Sequence, residues 1–134
     1  MAEIPGEVMR VIKDKALTEW PDDFEMQEHV IEQQIESYRD LCSYSNPNIP
    51  DSILAGIREK AVNEWPTDFE MQKHVLDQQV SAYQGLESYK KPEIPEDILK
   101  NIIDKAQREW PKDFEMQLHV IEEQGRAYLR LKRY

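Results

Sequence analysis

The sequence predicts an all-helical chain of three tandem helix hairpins, six helices in all, and three observations carry that prediction. The stretch EWPDDFEMQEHV at 19–30 returns as EWPTDFEMQKHV at 64–75 and as EWPKDFEMQLHV at 109–120, with ten of twelve letters shared by all three. Apolar residues recur three and four apart, the period of a helix face rather than of a strand. All eight prolines fall at two kinds of junction, the WP corners and the segments that lead into each copy.

The repeat is gapless. Trp20, Trp65 and Trp110 are spaced by 45, and the copies run over 4–44, 49–89 and 94–134, joined by SNPN and KKPE. Every Trp, Phe and Tyr falls at one of four repeat positions, and His29, His74 and His119 share a fifth. Self-similarity at a fixed period of this size is the mark of a stacked array, because one hairpin cannot cover its own apolar face. The expectation is a single 134-residue domain stacked as a short solenoid-like array, with a closed six-helix bundle as the alternative.

The first helix of each copy begins after Ile-Pro, where proline's missing N–H had no helical partner to lose. Val8, Ile12, Ala16 and Trp20 recur every four residues and form one apolar stripe, repeated at Ile53, Ile57, Ala61, Trp65 and at Ile98, Ile102, Ala106, Trp110. Trp20 is expected to pack in the hairpin core. Lys15 and Glu19 stand four apart in every copy, a surface pair that contributes a few tenths of a kcal/mol.

The second helix is expected from about Pro21 to Leu41 or Tyr44. Its seam is Phe24, Gln27, Ile31, Gln34, Tyr38 and Leu41, widened by Met26 and Val30. Asp23 lies where a carboxylate caps a helix start, and Glu25 adds favourable charge near the same terminus.

Composition narrows the function. Lys plus Arg total 17 against 27 Asp plus Glu, a formal net charge of −10. Such a surface repels phosphate backbones and anionic lipid, so neither nucleic acid nor membrane is an expected partner. The lone Cys42 has Glu87 and Lys132 as its counterparts and cannot form an internal disulfide. MAEIPGEVMR lacks the basic and apolar regions of a signal peptide, and a cytoplasmic location is the default.

Three sets of residues remain as candidate sites. Glu25 and His29, with Glu70, His74, Glu115 and His119, form a repeated polar surface one helical turn wide. Each copy offers only two ligands where a metal needs three or four, so no metal or other cofactor is expected. Gln27, Gln34, Gln72, Gln79, Gln117 and Gln124 occupy seam positions where apolar residues are the default. Half-buried amides must find partners: they fix the register between copies, or they line a groove that holds an extended peptide.

The third set is a departure from the repeat. Glu28 and Lys73 become Leu118, Ile35 and Val80 become Gly125, and Arg39 and Gln84 become Leu129. With Glu122 these residues make one stripe on the last helix. One reading is a contact surface with close helix approach at Gly125, in its simplest form a homodimer through the third copy. The other packs the leucines on the C-terminal RLKRY. Independently of both, if Ile35 and Val80 pack on the following copy, the third copy has no follower and needs no large side chain at Gly125, which favours an open stack over a closed bundle.

No phosphate loop, nucleophile elbow or Cys–His pairing is present, and catalysis is not expected. The function expected is protein–protein interaction or assembly, with a basic or extended partner. The alternative is a small acidic inhibitor that mimics nucleic acid and occludes a basic surface.

Overall fold

The computed structural model describes residues 3–134, so the first two residues of the segment read above for a signal peptide lie outside it. Six helices follow one another: α1 Gly6–Glu19, α2 Phe24–Ser43, α3 Asp51–Glu64, α4 Phe69–Glu87, α5 Glu96–Glu109 and α6 Phe114–Leu131. The described residues contain no strand. None of their helices is long and apolar enough to cross a membrane. Two compact units are distinguished, one up to Asp77 and one from Gln78 onward. The boundary falls inside α4, within the second copy rather than between copies.

In the first unit, α1 and α2 pack together as a hairpin. Pro5 and Pro50 are the N-cap residues of α1 and α3, so the Ile-Pro pairs do open helices. Ile12, Ala16, Ile49, Ile57, Ala61, Phe69 and Leu76 are its buried apolar residues. The segment between α2 and α3 is closed by Asn46, whose Oδ1 accepts the Asn48 N–H at 3.0 Å. Arg58 donates to the carbonyls of Leu41 and Tyr44, both at 2.8 Å. A cation thereby meets carbonyl groups at the end of α2 that have no helical partner.

In the second unit, α5 and α6 pack as a hairpin, with Val80, Ala82, Ile94, Ala106 and Ile121 buried. Pro95 is the N-cap residue of α5. Asp113 caps α6, as Asp23 caps α2 in the first unit: their carboxylates accept the N–H of Met116 and Met26 at 3.1 and 3.0 Å.

Two expectations need correction. The second helix of the hairpin starts at Phe24, three residues beyond Pro21, because Trp20 to Asp23 form the corner. The tryptophans are not core residues: Trp20, Trp65 and Trp110 are 40%, 39% and 39% exposed. Each is the C-cap of its helix, with φ between −135° and −133°, so the chain leaves the helical path there and the ring leaves the stripe. What the corner uses is the tryptophan backbone. Its N–H closes on Ala16, Ala61 or Ala106 at 2.9 Å, and its carbonyl accepts a glutamine amide, described below.

Candidate functional site

The seam glutamines divide into two kinds. Gln27, Gln72 and Gln117 reach back to their own corner, where Nε2 donates to the carbonyl of Trp20, Trp65 or Trp110 at 2.7, 2.7 and 2.6 Å. Seven residues later stands the second kind, which reaches into the next copy. Gln34 Nε2 donates to Asp68 Oδ1 at 3.0 Å, and Gln34 Oε1 accepts the Phe69 N–H at 2.7 Å. One amide thus satisfies both the capping carboxylate and the first N–H of a helix, a donor that has no intrahelical partner.

The same joint is built again in the second unit. Gln79 Nε2 donates to Asp113 Oδ1 at 3.0 Å, and Gln79 Oε1 accepts the Phe114 N–H at 2.8 Å. One turn after each glutamine, a tyrosine meets the phenylalanine edge to face. Tyr38 on Phe69 and Tyr83 on Phe114 both have ring centroids 5.1 Å apart, at 76° and 70°. This geometry contributes about 0.5–1.5 kcal/mol beyond area burial.

Charge adds to the first joint. Lys15 Nζ pairs with Glu19 at 2.8 Å and also lies 3.4 Å from Asp68, so the pair read as local surface trim also reaches the joint. Burial opposes the charge of the Asp68 carboxylate. The Gln34 amide, the Met71 N–H and the Lys15 ammonium outweigh that and hold its pKa below the usual carboxylate value. Burial likewise opposes the Lys15 charge, and Glu19 and Asp68 reverse the effect and raise its pKa.

The first and third copies hold half-joints. Asp23 accepts the Met26 N–H as Asp68 does that of Met71, but among the described residues no glutamine of another copy is bonded to it. Phe24 is 77% exposed where Phe69 is 9% exposed. This overturns the expectation that Phe24 opens a buried seam: the ring at this position is covered by a tyrosine from another copy, and Phe24 has none. At the other end Gln124 is exposed, whereas Gln34 and Gln79 are buried. Tyr128 has the Lys132 ammonium over its ring, 5.1 Å from the centroid.

Glu25, His29, Glu70, His74, Glu115 and His119 are all exposed. Among the described residues no group of three or more His, Cys, Asp or Glu side chains is placed to hold a metal ion. Glu115 and His119 do meet Leu118 and Glu122 around an open cleft of about 220 Å³, completed by Gln78, Ser81 and Ala82.

The stripe on α6 is engaged within the chain. Leu118 Cδ2 lies 3.2 Å from where a Cβ on Gly85 would stand, so Leu118 packs on α4. Gly125 is buried. A Cβ there would lie 3.1 Å from Ile94 Cδ1 and 3.5 Å from the Tyr89 hydroxyl. The glycine is therefore explained by neighbours that fill its space, not by the lack of a follower, and it is not open to a close-packed second helix. Burial and the nearby Glu122 carboxylate raise the Tyr89 pKa above its ordinary value. Leu129 is half-buried.

Compared with known protein families, with curated proteins and with solved structures, the chain has no significant match.

Proposed function

We propose that this chain is a non-enzymatic protein-binding and assembly module, its three copies stacked as an open, solenoid-like array and set in register by the glutamine joints. The observation that carries this reading is the contrast between Phe24 and Phe69, the same residue at the same repeat position, 77% and 9% exposed. The Phe69 ring is covered by the Tyr38 ring of another copy, so the open Phe24 ring offers a partner the same edge-to-face contact. Most of the seam glutamines are already engaged: one of each pair holds a corner, and Gln34 and Gln79 hold joints. The Glu and His pairs point to solvent on separate copies, an arrangement that favours binding over catalysis. The partner is a protein, basic or extended in keeping with the net charge of −10, and the setting is the cytoplasm.

That charge also favours a second reading, an acidic inhibitor that occupies a nucleic-acid-binding surface. The two part in a capture experiment with immobilised chain and native lysate at low and high salt. Apolar recognition predicts a partner that stays bound at high salt. Mimicry predicts nucleic-acid-binding proteins that salt releases. A chain that captures nothing and does not bind itself would end both readings.

A further inference from the structure

We infer that copies of this chain associate head to tail, the open half-joint on the third copy of one molecule seating on the open half-joint of the first copy of the next. This rests on the binding reading above and names the partner: a second copy.

The first argument is continuity. The joint is built twice within the chain from the same parts, with donor distances that differ by no more than 0.1 Å between the two. The tail of the molecule carries the same side chains at the same spacing. Gln124 and Tyr128 stand four apart as Gln34 and Tyr38 do, and Lys105 precedes Gln124 by the interval that separates Lys15 from Gln34. The head carries what they would meet, the Asp23 carboxylate already capping α2 and the Phe24 ring in solvent.

The second argument is what lies uncovered at the tail. Leu131 is 67% exposed and Tyr134 fully so, although their counterparts Leu41, Leu86, Tyr44 and Tyr89 are half-buried. Docking would cover apolar surface on both molecules.

The third argument is charge, at a position the repeat does not hold constant. Leu118 packs against the site of Gly85, so these two repeat positions face each other. Their counterparts on the open faces are Glu28 at the head and Arg130 at the tail, both exposed. The pair that would meet between molecules is oppositely charged.

Such a contact uses different surfaces on the two partners. It therefore continues from molecule to molecule unless the rotation closes a ring, unlike a two-fold dimer through the third copy.

Sedimentation velocity over a dilution series tests this. The wild-type chain is compared with a head-blocked variant, Phe24→Ser, a tail-blocked variant, Gln124→Lys with Tyr128→Ala, and an equimolar mixture of the two. These changes fall at exposed or half-exposed positions, and circular dichroism confirms that the helices remain. The wild type should show an average mass that climbs with concentration. Each variant alone should stay monomeric, with self-association weakened about thirty-fold or more. The mixture should stop at a one-to-one dimer, because only one head and one tail remain intact between the two. A wild-type chain that stays monomeric throughout overturns the inference, as does a variant that associates like the wild type or a mixture with no dimer. The capture experiment is read separately, with the Phe24→Ser chain omitted: a monomeric wild type that still retains a foreign protein at high salt loses the head-to-tail inference and keeps the binding reading.

Discussion

Replacing Gln34 by alanine should cost about 2–4 kcal/mol of stability, and the structure divides that cost between two bonds. The bond to Asp68 Oδ1, at 3.0 Å, is the smaller part. Asp68 is half-buried and keeps the Met71 N–H and Lys15, so water replaces the lost donor at a cost of about 1 kcal/mol. The larger part is the Phe69 N–H, which donates to Gln34 Oε1 at 2.7 Å in a residue only 9% exposed. Left without an acceptor, a buried amide costs about 1–3 kcal/mol. Alanine returns a few tenths of a kcal/mol through helix propensity. Gln124→Ala is the internal control: the same change at the same repeat position, but in a residue that is exposed. It should fall within about 0.5 kcal/mol of the wild type. Urea denaturation followed by circular dichroism, in dilute protein so that contacts between molecules do not contribute, measures both. If the two variants unfold at the same midpoint, the joint does not hold the copies together and the argument from it fails.

Three further outcomes follow from the same geometry. Phe69→Ala should cost about 3–5 kcal/mol by emptying a buried site, whereas Phe24→Ala, at the 77% exposed position, should cost little; equal losses in thermal unfolding would contradict the assignment of burial. Asp68 has a lowered folded pKa, so its charge stabilises the fold above the unfolded value of about 3.9 and that contribution is lost as pH falls through the folded value. Asp68→Asn should therefore be less stable than the wild type at neutral pH, with the gap closing below about pH 4; a gap independent of pH would refute this. Gly125→Ala should gain little, because the helix-propensity gain of about 1 kcal/mol meets the Ile94 methyl. Combined with Ile94→Val it should be more stable than the sum of the single changes by about 1 kcal/mol, and simple additivity in urea midpoints would show that the contact is absent.

The helices were legible because their signals are local. Ile-Pro opens α1, α3 and α5, Asp23 and Asp113 cap as their spacing suggested, and every proline lies outside a helix. That the buried glutamines would find hydrogen-bond partners was also readable, since a seam amide must be satisfied somewhere. Which glutamine does so was not. Gln27 and Gln34 lie on the same seam, but one faces the corner of its own hairpin and the other faces the next copy.

Repetition itself concealed the rest. Phe24 and Phe69 sit in nearly identical words, and their burial differs because a tyrosine from another copy covers one and not the other. Trp20 fits the period of the apolar stripe, but the helix ends at that residue and the period no longer says where the ring points. Gly125 was read from its missing side chain, while its explanation lies in Ile94 and Tyr89, about thirty residues earlier in the chain. Contacts of that separation leave no local pattern.

The most direct test of the glutamine joint is amide hydrogen exchange at Phe24, Phe69 and Phe114, each the first residue of its helix. First-turn amides have no partner within the helix, so any protection there must come from outside it. With the acceptors at Gln34 and Gln79 in place, Phe69 and Phe114 should exchange slowly in dilute protein and Phe24 should exchange at close to the unprotected rate. Equal exchange at all three would contradict the account.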